Sequence, residues 1–126
     1  MATAGGSRPS WGITKQAASG TIWLRFVGPT RTEECAEFLS ALSEMMPPED
    51  AVVVFDLRQL VGHNPDTKEP IKAWLRDNKG RLASVTVLVP KSSTIIKMVT
   101  AVISLATGVK IRIRDDLEEG TSVAPV

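Results

Sequence analysis

Apolar and polar positions alternate through TIWLRFVG, with Ile22, Leu24 and Phe26 on one side and Trp23, Arg25 and Val27 on the other. A period of two is the mark of a β-strand. The shorter stretch WGITKQ precedes it, with a turn over residues 17–20 between them, so the chain opens on an antiparallel hairpin. Gly28 and Pro29 close the second strand, and the period then changes. Cys35, Phe38, Leu39, Leu42, Met45 and Met46 recur at spacings of three and four, which places them on one face of a helix. Thr30 or Thr32 is positioned to cap it, Glu33 and Glu34 suit the positive end of its dipole, and Pro47 and Pro48 stop it.

The run AVVVF is continuously apolar, the pattern of a central strand covered on both faces. A second helix carries Ile71, Trp74 and Leu75, with Lys72, Arg76 and Lys79 toward its negative end and Gly80 as its stop. SVTVLVP is another buried strand. A third helix, capped by Ser92 or Ser93, runs to Gly108, and VKIRIR then alternates Val109, Ile111 and Ile113 with Lys110, Arg112 and Arg114. The order β-β-α-β-α-β-α-β predicts the α/β class in an α+β variant: a mixed five-stranded sheet with right-handed crossovers.

Three parts follow along the 126 residues: a flexible lead over residues 1–10, one domain over 11–114, and an acidic, disordered tail over 115–126. The tail carries Asp115, Asp116, Glu118 and Glu119 without a base, whereas the residues before it alternate bases with apolar side chains. The net charge of +1 does not call for nucleic acid, and three bases on an outer strand serve to discourage edge-to-edge pairing. A single cysteine, Cys35, permits neither an internal disulfide nor a multi-cysteine metal site. No apolar run is long enough to cross a bilayer, so the expected compartment is the cytoplasm, without stable membrane insertion.

The chemistry-bearing residues are few. His63, the one histidine, is the candidate proton shuttle of an enzyme but stands alone, and Cys35 falls on the apolar face of the first helix, where a thiol is more often filler than a reactive thiolate. No phosphate loop, HExxH or GxSxG is present, so the reading is of a non-enzyme with no cofactor and no metal. Thr67 is placed to cap the second helix, and the same position would also suit a phosphate.

The third helix carries a surplus. In STIIKMVTAVISLATG the polar residues Lys97, Thr100, Ser104 and Thr107 form one narrow stripe, and Ile95, Ile96, Met98, Val99, Val102, Ile103 and Leu105 are more than one sheet face absorbs. Part of that surface is expected to meet another molecule.

Together, VVVFDLRQLVGHNPDTKEPIKAWL, VTVLVP and IKMVTAVISLATGVKIRI, in this order of elements, resemble the STAS domain, and in particular the SpoIIAA-like proteins related to sporulation anti-anti-sigma factors. The likeness covers residues 11–114. It implies a bacterial signalling or scaffold domain whose serine, just after the third strand, is phosphorylated to switch partner binding. Here Asn64 falls near the family's Asp, and Pro65, Asp66 or Thr67 falls where the serine would stand, with no serine between Ser43 and Ser84. Thr67 is then the possible phosphorylation site, and Asp66 a fixed negative charge.

The resulting expectation is a protein-interaction domain that binds a protein partner or itself, as a homodimer or higher homo-oligomer, through Arg58, His63, Asn64, Asp66, Thr67 and Lys68 and, on the third helix, Ile95, Ile96, Val99 and Ile103. SpoIIAA-like sequences are also similar in layout to lipid-transfer domains, which implies the alternative of a small-ligand or lipid carrier with an apolar pocket under the third helix.

Overall fold

The computed structural model describes residues 11–62, 64–90 and 94–114. Five strands form one sheet in the spatial order of the sequence: β1 (Trp11–Lys15), β2 (Ile22–Gly28), β3 (Ala51–Leu60), β4 (Leu82–Leu88) and β5 (Ile111–Arg114). β1 pairs antiparallel with β2, and every other pairing is parallel. The mixed five-stranded sheet expected from the sequence is therefore present, with AVVVF at its centre and VKIRIR at its edge.

Three crossovers of one hand between strands that stay in order bring their helices to one face. α1 (Glu34–Met45), α2 (Lys68–Asp77) and α3 (Thr94–Thr107) share a single core with the inward residues of the sheet. Ile22, Leu24 and Phe26 meet Phe38 of α1, with the Phe26 and Phe38 rings edge to face at 4.9 Å, and Val53, Phe55, Val85 and Val87 meet Trp74, Leu75, Ile96 and Ile103. The opposite face carries a separate small cluster of Trp23, Val54 and Leu88.

Local details differ from expectation where a side chain finds a better partner than a cap. Neither Thr30 nor Thr32 caps α1; instead the buried Glu34 turns back and accepts from the Arg31 backbone N–H and guanidinium, each at 3.2 Å. Gly80 does not end α2 but lies in a short 3-10 turn. The helix stops at Asn78, whose backbone N–H and side-chain amide both donate to the Trp74 carbonyl. Arg81 then donates to the carbonyls of Ser43, Met46 and Pro47, satisfying the end of α1 that the double proline leaves open. Gly108 does end α3, at φ 74°. The Ser92 and Ser93 cap, the lead and the tail lie outside the described residues.

Candidate functional site

The carboxyl ends of β2 and β3 lie side by side, and the loops that leave them define the site. Gly28 and Gly62 turn the chain away at φ 76° and 75°, a conformation that a side chain would disfavour. The Val61 N–H donates to the Gly28 carbonyl at 3.0 Å, which ties the two exits together. Asn64 completes the tie. Its amide nitrogen donates to the Thr30 carbonyl at 3.0 Å and to Thr32 Oγ1 at 3.1 Å, while its Oδ1 accepts from the Asp66 N–H at 3.0 Å.

Thr67 does not act as a side-chain cap. A 3-10 turn over Pro65–Thr67 intervenes before α2, Asn64 caps that turn, and Thr67 Oγ1 donates back to the Asn64 carbonyl at 2.8 Å. A phosphate on Thr67 would need that hydroxyl to leave its partner and swing outward. Asp66 is exposed beside Thr32, and Lys68 begins α2 with its side chain half-buried.

Behind these loops, between the sheet and the pair α2 and α3, lies a cavity of about 340 Å³. Its walls are apolar: Phe26, Phe38, Phe55, Leu57, Leu60, Ile71, Leu75, Val85, Val87, Ile96, Val99, Ile103 and Ile111. Pro29, Thr30, Val61, Gly62, Asn64, Thr67 and Lys68 also line it, where the two loops and the start of α2 come together. Lys68 is the one ionisable side chain among the described residues lining it.

α3 is oriented differently from what its polar stripe implies. Thr100 and Thr107 face inward and return their hydroxyl hydrogens to the carbonyls of Ile96 and Ile103, four residues back, at 2.7 Å each. Self-satisfied hydroxyls can be buried cheaply, so the stripe does not mark the wet side. Ile96 and Ile103, expected to meet a partner, are buried and line the cavity, and Val99 is half-buried on its wall. The outward side is instead Ile95, Met98, Val102 and Leu105, at 62%, 63%, 49% and 87% exposure.

Arg58 lies apart from the loop site. It folds back on Asp56 on the helix-free face, donating through Nε to Oδ1 and through Nη2 to Oδ2, both at 3.0 Å, and Arg25 Nε reaches the same carboxylate at 3.2 Å. Burial, the largest single influence, pushes the Asp56 carboxyl up, but the side-chain and backbone hydrogen bonds of Arg58 and that of Arg25 together outweigh it. The carboxyl therefore titrates below its ordinary value. Cys35 is buried in the core, and burial pushes its thiol up, away from reactivity. His63 lies outside the described residues. Among the described residues no cluster of His, Cys, Asp or Glu could hold a metal, and no helix is long and apolar enough to cross a membrane.

A solved structure shares this architecture: an uncharacterised DUF3478-family protein from Shewanella loihica PV-4, described as having a SpoIIAA-like fold, aligns with a TM-score of 0.60 over 91% of this chain and 93% of its own. The fold is SpoIIAA-like. At 13% identity the likeness concerns backbone architecture, which agrees with the STAS resemblance read from the sequence. No family model and no curated protein matches the chain. Within a SpoIIAA-like frame, the feature that the sequence could not show is the joint held by Asn64. That residue matches the expected region, but its partners Thr30 and Thr32 lie in a loop more than thirty positions away.

Proposed function

We propose that this STAS-like domain is a non-enzymatic binding module whose site is the apolar cavity under α3, and that its ligand is a small amphiphile with an apolar body and a polar or anionic end. The observation that carries this reading is the cavity itself: apolar walls, with a few hydrogen-bonding groups and one cation among the residues that line it. At about 30 Å³ per water-sized group the space suits roughly ten heavy atoms. Burying ten methylenes at about 0.8 kcal/mol each gives about 8 kcal/mol, and association costs at least about 4. A purely apolar ligand would then bind near the millimolar range, so a polar anchor is needed for more. Lys68 supplies one. A cation in the first turn of a helix is opposed by the helix dipole, and an anion beside it would relieve that repulsion. Native mass spectrometry of the purified protein tests the reading: a co-purified mass that leaves on mild denaturation supports it, and a bare chain that also binds no medium-chain amphiphile opposes it.

A second reading rests on a different observation. Ile95, Met98, Val102 and Leu105 follow one another at spacings of three, four and three, the seam by which two helices pack together. Such a seam is complementary to itself, and this favours a homodimer through α3. The mass in solution decides between the dimer and a monomer.

A further inference from the structure

The cavity has a direction. Of its described wall residues only Pro29, Val61 and Gly62 are exposed, so it meets solvent between the loops that leave β2 and β3. Most of its polar side chains gather at that same end: Thr30, Asn64, Thr67 and Lys68 belong to those loops and to the start of α2. Thr100, on α3, spends its hydroxyl hydrogen on the Ile96 carbonyl. The other end is apolar. α2 runs back from the mouth, and Leu75 is seven residues beyond Lys68, about 10 Å deeper at 1.5 Å per residue. Ile111 opens β5, at the strand end away from the loops, and pairs with Val85 on the same wall.

Most donors at the mouth are already committed. Asn64 gives its amide hydrogens to the Thr30 carbonyl and Thr32 Oγ1, and Thr67 gives its hydroxyl hydrogen to the Asn64 carbonyl. Lys68 differs. Its neighbour Lys72 holds Glu69 at 3.2 Å, whereas Lys68 forms no ion pair among the described residues. A positive charge with three hydrogens to donate therefore stands at the rim without a described counter-ion.

We infer that the ligand is an unbranched monocarboxylate of about eight to ten carbons, which enters tail first and leaves its carboxylate at the mouth against Lys68. The inference rests on the binding module proposed above and adds the charge, shape and direction of its ligand. Roughly ten heavy atoms that must reach about 10 Å from the mouth to Leu75 cannot be spent on branches. One cation balances one negative charge. A phosphate monoester, at about −1.5 to −2, would leave charge unmatched where the amide and hydroxyl hydrogens are taken. An alcohol of the same tail would accept a hydrogen bond from Lys68 but leave its charge unbalanced.

Titration of the isotope-labelled full chain at neutral pH with octanoate, octan-1-ol and octyl phosphate tests this. Octanoate should bind about tenfold more tightly than either of the others, the scale of one charge-assisted hydrogen bond. Intermolecular Overhauser cross-peaks should join its terminal methyl to Leu75, Ile103 or Ile111, and its carbon-2 methylene to Thr67 or Lys68. Lys68→Met should abolish the preference for octanoate over octan-1-ol, and Lys68→Arg should keep it. If Lys68→Met does not fold, the preference and ligand direction in the unmodified chain still decide. Equal binding of octanoate and octan-1-ol, octyl phosphate binding as tightly as octanoate, or a terminal methyl beside Lys68 overturns this inference and leaves the cavity reading standing. Absence of saturable binding by all three overturns the cavity reading and this inference with it.

Discussion

The side-chain amide of Asn64 donates to the Thr30 carbonyl at 3.0 Å and so fastens the loop after β3 to the loop after β2, across thirty-four positions of sequence. The same amide group reaches Thr32 Oγ1, and its oxygen orders the turn that leads into α2. Five lining residues, Pro29, Thr30, Val61, Gly62 and Asn64, belong to these two loops, which the Asn64 side chain holds together alongside the Val61–Gly28 backbone bond.

Replacing that side chain should therefore weaken both stability and binding. Asn64→Asp keeps the shape but turns a donor into an acceptor opposite the Thr30 carbonyl, leaving a part-buried polar group unpaired at a cost of about 1–3 kcal/mol. Urea unfolding should show a lower midpoint with an unchanged slope, and amide signals of residues 29–32 should shift. An unchanged midpoint would mean that the latch does not hold the loops.

Stability should also fall on acidification through Asp56. Its carboxyl is depressed in the folded protein, so the stabilisation is fully present above the ordinary carboxylate pKa and is lost as pH drops through the lower, folded value. Asp56→Asn should remove that part of the pH dependence. At neutral pH it should cost about 1–3 kcal/mol, below the 3–5 of a fully buried pair because both arginines are partly exposed. Unfolding midpoints of the two proteins between pH 3 and 7 provide the check.

On α3 the outward seam and the inward face should respond in opposite ways. Leu105→Glu changes an exposed side chain and should leave stability within about 0.5 kcal/mol while abolishing any dimer seen by sedimentation velocity. Ile103→Ala removes a buried cavity-wall group and should cost about 2–5 kcal/mol without altering the assembly state of the protein that remains folded.

The strands and helices were legible because periodicity reports local burial: Ile22, Leu24 and Phe26 lie inward, and AVVVF is the central strand. What periodicity misreads is a polar residue that satisfies itself. Thr100 and Thr107 read as the wet stripe of α3, yet their bonds to the preceding turn let them face the core and send Met98 and Leu105 outward. Burial of Ile96 and Ile103 follows from the same rotation. The sequence implies the cavity only through likeness, as an alternative, because volume is a property of how α2 and α3 stand off the sheet, which no local pattern encodes. Asn64 stands out in the sequence only for its position near a family acid, whereas its bonds to Thr30 and Thr32 depend on the topology that brings two strand ends together.

Titration of the isotope-labelled full chain with decanoate, held below its micellar concentration, tests the cavity most directly. Saturable shifts should concentrate at Ile71, Val99, Thr100 and Ile103 and at the amides of residues 64–68, and Val99→Trp, which fills the space, should abolish them while the fold persists. Shifts confined to Ile95, Met98 and Leu105, or no saturable shift at all, would contradict a binding module built around that cavity.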